Sequence, residues 1–197
     1  MTLFQRFCAC LLLAAGGLAM GLPARAADSP PAVSAPVLRD GSHDFDFNIG
    51  VWRTHIIRRL HPLSADSSTL VMDGTVTVRK VWGGRAQLEE IETDSAQGHW
   101  EGMTLFLYNP SAHQWSQNFA SSAGGSLANP TIGSFKDGRG ELYAQDTEDG
   151  RSILVRGVWT VTSAQAHTYV ESYSNDGGRT WEPVFSASLT RATTPAG

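Results

Sequence analysis

Apolar and polar residues alternate one by one over many short stretches of this chain. The clearest stretch is 70–81, in which Leu70, Met72, Val76 and Val78 share one parity and polar residues fill most of the other. Successive side chains of a strand point to opposite faces, so this pattern predicts a strand with one apolar face. Similar stretches predict further strands at 52–60, 86–93, 102–108, 115–120, 133–135, 140–145, 153–161, 167–174 and 181–191.

The order of these strands predicts the fold class. No window carries the i, i+3, i+4 apolar stripe of a capped amphipathic helix, whereas turn sequences such as K-D-G-R at 136–139 recur between the strands. About ten strands joined by tight turns predict an all-β antiparallel meander. We expect the meander to close into a barrel, because closure removes exposed strand edges. A two-sheet β-sandwich is the alternative.

One glycine and one loop give further expectations about this barrel. Gly74 interrupts the strand 70–81, which indicates a bend or a β-bulge there. The stretch S-S-A-G-G-S-L-A-N-P at 121–130 has the composition of a flexible loop. This loop is a candidate lid over the mouth of the barrel, and an ordinary surface loop is the alternative.

The stretch H-D-F-D-F-N-I-G-V-W-R at 43–53 precedes the first strand. Its alternation predicts an extended segment in which Phe45 and Phe47 share one face. Gly50 permits a turn, and Trp52 begins the strand. We expect these three aromatic residues to plug one end of the barrel; contact of Trp52 with a ligand is the alternative.

The N-terminus reads as a secretory signal peptide over residues 1–26. Arg6 precedes an apolar stretch at 7–22, and A-R-A at 24–26 is a cleavage site. Export to the periplasm or the medium is therefore expected, with a retained membrane anchor as the alternative. Residues 27–38 form a Pro/Ala-rich linker, 39–191 form the barrel domain, and 192–197 form a disordered tail.

The amino-acid composition excludes several kinds of chemistry and partner. Cys8 and Cys10 are the only cysteines and both lie in the leader, so the mature chain lacks thiol chemistry and disulfides. The formal net charge of −4, without a basic cluster, argues against nucleic-acid partners and anionic membrane surfaces. No integral membrane segment is expected after signal cleavage. The histidines lack paired metal-ligand spacing, so we predict no metal site and no cofactor.

The candidate site residues are polar or aromatic positions within predicted strands. Arg156 and Glu171 lie in consecutive strands, where the two charges could meet as a pair inside the barrel or on its surface. Trp52, Trp115 and Tyr173 are expected to line the interior. His55, in mid-strand, is a further candidate for ligand contact or acid–base chemistry.

The last hairpin carries the sharpest local motif, Ser174 to Trp181, which reads S-N-D-G-G-R-T-W. It resembles the Asp-box turn of sialidase-type propellers. We expect Asp176 to accept backbone N–H bonds within the turn and Trp181 to pack under it, which makes the motif a structural staple.

The opening D-F-D-F-N-I-G-V-W at 44–52 and the closing S-N-D-G-G-R-T-W-E at 174–182 resemble those of an uncharacterised bacterial domain-of-unknown-function family. The stretches 102–110 and 153–159 resemble it as well. The family is similar in pattern to the lipocalin/calycin barrels, which implies a barrel that binds small apolar molecules. It implies no catalytic residue.

Three functions follow as hypotheses. The first is an exported barrel that binds a small, largely apolar ligand in its interior, with Arg156 and Glu171 at the polar end of that ligand. The second is an enzyme that uses the same cavity for acid–base chemistry with Glu171 or His55. The third is an interaction domain with a filled barrel. The sequence identifies no protein partner.

Overall fold

The structure is a computed structural model that describes residues 39–193. The predicted signal peptide, the linker 27–38 and residues 194–197 of the predicted tail lie outside the described residues. Ten strands follow one another: β1 Gly50–Arg59, β2 Thr69–Val81, β3 Ala86–Ser95, β4 Gly98–Asn109, β5 Gln114–Ser121, β6 Thr131–Lys136, β7 Arg139–Glu148, β8 Arg151–Ser163, β9 Ala166–Ser174 and β10 Glu182–Arg191.

These strands form a closed antiparallel barrel in which each strand pairs with the next and β1 pairs with β10. The predicted all-β meander barrel is confirmed, and the sandwich alternative is wrong. Every second side chain of a strand faces inward, and residues paired across neighbouring strands face the same side. Trp52 pairs with Val76, and Val76 pairs with Ile91. All three are buried inside the barrel.

Most strands lie where the alternation predicts them. The largest difference is β4, which begins at Gly98 instead of residue 102. Trp100 faces inward between the outward polar residues His99 and Glu101, so one inward aromatic residue continues the strand through a polar stretch. Gly74 marks no bulge, because the pairing of β2 stays in register on both sides. A Cβ at Gly74 would instead lie 2.0 Å from the backbone oxygen of Glu92, so the two strands approach closely there.

The two ends of the barrel differ in their connections. Short connections at 82–85, 110–113, 137–138 and 164–165 join the strands at one end. The longer loops 60–68, 122–130 and 175–181 lie at the other end, together with the two-residue turns 96–97 and 149–150. The described chain enters β1 and leaves β10 at the end with the short connections, where the N–H of Ala192 donates to the carbonyl of Val51.

The segment 39–49 closes this end as an aromatic plug. Phe45 is fully buried, and its ring centroid lies 4.5 Å from that of Phe106 and 4.7 Å from that of Phe135. The segment is not extended as predicted, since residues 46–48 form a 3-10 helix after consecutive turns. A chain that crosses the barrel end has no neighbouring strand, so its peptide groups bond locally, as the Asn48 N–H does to the Phe45 carbonyl.

Hydrogen bonds from the strands hold the plug in place. The indole N–H of Trp52 donates to the carbonyl of Asn48 at 2.7 Å, and that of Trp115 donates to the carbonyl of Gly41 at 2.8 Å. Both indoles thus combine apolar burial with a satisfied N–H. His167 packs edge-on against Trp52, and burial lowers the pKa of its imidazole to about 4. The closed end is therefore a packed core.

The closing hairpin has the predicted staple geometry. The Asp176 carboxylate accepts the N–H groups of Arg179 and Thr180, together with the hydroxyls of Ser174 and Thr180. The indole N–H of Trp181 donates to the carbonyl of Gly178 at 3.0 Å. These bonds lie within the turn, as expected for a structural motif.

Candidate functional site

A cavity of about 310 Å3 occupies the open end of the barrel. Its apolar walls are formed mainly by three aromatic residues, Trp100, Phe119 and Phe185, and its upper rim by residues of the loops 60–68 and 122–130. Trp100 and Phe119 stack with ring centroids 6.1 Å apart. Polar and charged side chains make up ten of its nineteen lining residues, so the cavity is more polar than most small-molecule pockets.

Glu171 on β9 is the most buried acid of this cavity. The Tyr169 hydroxyl donates to its Oε2 at 3.1 Å. Burial raises the pKa of the Glu171 carboxyl, and the charge of Asp146 raises it further, while hydrogen bonds from Tyr169 and Tyr173 oppose the change. Burial and the charge of Glu171 also raise the pKa of the Tyr173 hydroxyl.

Two more carboxylates, Asp146 and Glu148, line the cavity nearer the rim on β7. Asn129 of the loop 122–130 donates to Asp146 at 3.2 Å, so this loop is tied to the rim. On the opposite side Arg58 also lines the cavity. Its neighbour Arg59 forms an ion pair with Glu182 at 2.8 Å.

Two further polar side chains lie deeper. Gln117 accepts a hydrogen bond from the indole N–H of Trp159 at 3.0 Å. Thr131 is only 6% exposed and pairs with Gln117 across β5 and β6. Within residues 39–193 the Thr131 hydroxyl has no hydrogen-bond partner. This hydroxyl oxygen has less than 1 Å2 of accessible surface, so it lies behind the cavity wall.

Below this cavity lies a small void of about 50 Å3, which shares Gln117, Phe119 and Phe185 with it. Its walls are almost wholly apolar apart from Glu89, which is 4% exposed. The side-chain amide of Asn48 donates to Glu89 at 3.1 Å, and burial raises the pKa of that carboxyl. The interior thus runs from the acidic mouth through an apolar void to the plug.

Of the predicted site residues, Glu171 and Tyr173 line the open cavity. Trp52 and Trp115 belong to the plug at the other end and donate their N–H groups to backbone carbonyls. The prediction of these two indoles as cavity walls is wrong, because the first half of β1 and of β5 lies at the closed end.

Arg156 and His55 lie on the outer face of the barrel. The register pairs Arg156 with Ser172 and places Glu171 opposite Gly157, so the predicted meeting of the two charges is wrong. Arg156 instead stacks over the Trp181 ring at 4.4 Å. His55 is exposed, with its Nδ1 2.8 Å from a carboxylate oxygen of Asp73, and it does not reach the cavity.

The alternation left several cavity residues unnoticed, above all Trp100, Phe119, Asp146 and Phe185. Each shares the inward parity of its strand, and Phe185 pairs directly with Glu171. The pairing of the strands could have identified them once Glu171 was taken as inward.

Among residues 39–193 no group of three or more His, Cys, Asp or Glu side chains is arranged to hold a metal ion. No helix within that range has the length and apolar character of a membrane span.

The fold and this cavity define the class of the protein: a closed ten-stranded antiparallel barrel, plugged at one end and hollow at the other. No protein-family model and no curated protein matches the chain. The resemblance to the domain-of-unknown-function family stays a prediction.

Solved structures do match. An S-type phycobiliprotein lyase from Guillardia theta is 11% identical, with a TM-score of 0.52 over 76% of this chain and 91% of that one. A fluorescence-activating barrel bound to DFHBI is 10% identical, with a TM-score of 0.43 over 77% and 99%. A de novo designed fluorescence-activating barrel is 15% identical, with a TM-score of 0.41 over 79% and 100%. At such identities the lyase supports the barrel fold alone.

Proposed function

We propose that this barrel binds a small amphipathic molecule at its open end. The proposal depends on the cavity itself, which combines aromatic walls with inward polar groups at Glu171 and Asp146. The hypothesis of a filled barrel accounts for the plugged end but leaves the hollow end unexplained. Selection for stability alone would favour apolar side chains that fill this space.

A cavity-filling variant tests the proposal. Ala144 lines the cavity, so Ala144→Trp should fill it, whereas Ile132→Trp places the same side chain on the exposed outer face. The probe is N-phenyl-1-naphthylamine, a neutral dye whose emission increases in apolar surroundings. We expect the wild type and Ile132→Trp to bind the dye and Ala144→Trp to bind it at least about tenfold more weakly, a loss of about 1.4 kcal/mol. Equal binding by both variants would contradict the proposal.

An acid–base enzyme in the same cavity is the second candidate. The observation that favours it is the half-buried Glu171 in the cavity wall, whose raised pKa suits a general acid. His55 does not belong to this candidate, because it lies on the outer face. Molecules that co-purify with the protein, identified by mass spectrometry, supply the substrates for a test. Glu171→Gln should keep their binding and abolish turnover if the enzyme hypothesis holds.

We also propose that the protein is exported, on the basis of the leader 1–26. N-terminal sequencing of the protein recovered outside the cytoplasm of a bacterial host should begin at Ala27. Recovery of the uncleaved chain in the cytoplasm would contradict export.

A further inference from the structure

The negative charge of the cavity lies on one side of it. Glu171 and Tyr173 come from β9, and Asp146 and Glu148 come from β7. The charge of Asp146 reaches both β9 side chains, since it raises the pKa of the Glu171 carboxyl and of the Tyr173 hydroxyl. The acidic groups of two strands therefore face one shared volume.

This acidic side lacks a protein cation. Hydrogen bonds are present instead: Tyr169 donates to the half-buried Glu171, and Asn129 donates to the exposed Asp146. Within residues 39–193, no Lys, Arg or His nitrogen lies within 4.0 Å of the carboxylates of Asp146, Glu148 or Glu171. Arg58 is two strands away from Glu171 with Phe185 between them, a backbone separation of about 10 Å at the usual strand spacing.

The same cavity also has aromatic walls. The aromatic rings of Trp100, Phe119 and Phe185 line the same space. Aromatic faces next to carboxylates are surroundings that attract organic cations.

We propose that the ligand is an organic cation, an ammonium or guanidinium group carried on an aromatic or aliphatic body. The charged head lies between Glu171 and Asp146, on the side of the cavity away from Arg58. The body packs on Phe185, Phe119 and Trp100, next to the apolar void. This inference rests on the proposed function and names the class of ligand for that site.

Three indoles of matched size test the charge. Tryptamine carries an ammonium group, tryptophol a hydroxyl, and indole-3-acetate a carboxylate. We expect calorimetric titration at neutral pH to give tryptamine at least about tenfold higher affinity than tryptophol, as one charge-assisted hydrogen bond provides. Indole-3-acetate should bind most weakly, because the acidic side repels it.

Substitutions test whether the preference for tryptamine depends on Asp146 and Glu171. Asp146→Asn and Glu171→Gln should each reduce the preference for tryptamine over tryptophol, and the double variant should abolish it. Glu90→Gln, on the exposed outer face of β3, is the control and should change nothing. Melting curves confirm that each variant is folded, and the exposed Asp146 can be changed without disturbing the core.

Several results would overturn the inference. Tighter binding of indole-3-acetate would assign the ligand to Arg58, and equal binding of tryptophol would assign it to a protonated Glu171. No binding of tryptamine, or a preference that survives the double variant, would also reject an organic cation. The result with the neutral dye and Ala144→Trp is independent of these outcomes, so the proposed function can stand where this inference fails.

Discussion

Individual carboxylates inside the barrel have different roles. Glu89 lies deep, where the Asn48 amide from the plug segment donates to it. Glu171 lies under the open mouth and accepts a hydrogen bond from the Tyr169 hydroxyl. Burial disfavours the charge of both and raises both pKa values. A ligand that enters the open mouth can neutralise the charge of Glu171, whereas it cannot neutralise the charge of Glu89, which lies deeper in the barrel.

Glu171→Gln should make the ligand-free protein more stable at alkaline pH. The folded state holds the Glu171 proton more tightly than the unfolded state, so stability falls as pH rises from the ordinary value of 4.5 through the raised pKa. The variant has no carboxyl at this position, so its stability does not fall in this way as pH rises. We expect its Tm to exceed that of the wild type by about 2–4 °C at pH 8, as about 1 kcal/mol gives in a domain of this size. The difference should vanish near pH 4.

Thermal melts across this range check the prediction. Glu90→Gln is the matched change on the outer face and serves as the control. A difference of equal size at pH 4 and pH 8 would mean that Glu171 acts through packing instead of charge.

At the level of elements, the alternation of residues was sufficient for the fold. Each predicted strand has a counterpart, because inward and outward side chains on a barrel strand differ in polarity. The site was harder to predict. The alternation separates the two faces of one strand but not the two ends of the barrel, so Trp52 and Trp115 were assigned to the wrong end. It also cannot fix register between strands, and a shift of one residue separates Arg156 from Glu171.

Gly74→Ala should destabilise the barrel although it adds only one methyl group. The Cβ would meet the backbone oxygen of Glu92 at 2.0 Å, and a backbone cannot move aside like a side chain. We expect a loss of about 1–3 kcal/mol, typical of overpacking, measured by urea denaturation. Thr77→Ala, on the outer face of the same strand, is the control and should change stability by under about 0.5 kcal/mol. Equal losses would reject the close approach of β2 and β3.

Asp176→Ala should weaken the closing hairpin. Four donors hold the Asp176 carboxylate and lower its pKa, so it stabilises the fold above the ordinary value of 3.8. This stabilisation is lost as pH falls through the lowered pKa. We expect a lower Tm at pH 7 and a smaller difference below pH 3. Dye affinity should stay unchanged, and a large loss of dye binding would show that the hairpin shapes the cavity.

At the level of the whole molecule, the barrel separates stability from binding. The plug residues are fully packed, with Phe45 in contact with aromatic rings from four strands. The mouth combines half-buried aromatic residues with acids and a hollow. Proteins commonly give up some stability where they bind ligands, and here the two properties lie at opposite ends.

Phe45→Ala should therefore cost about 3–5 kcal/mol of unfolding free energy, as for other fully buried Phe residues. Phe119→Ala at the mouth should cost clearly less, because Phe119 is only partly buried. Dye binding should respond in the opposite order, with the greater loss for Phe119→Ala, measured on folded protein. Similar effects of both variants on both properties would contradict this division.

Because the described chain enters and leaves the barrel at the plugged end, a linker or tag joined directly at residue 39 or residue 193 attaches on the side away from the cavity. A molecule immobilised through such a linker would direct its acidic opening outward, and solutes would reach it without passing the attachment point.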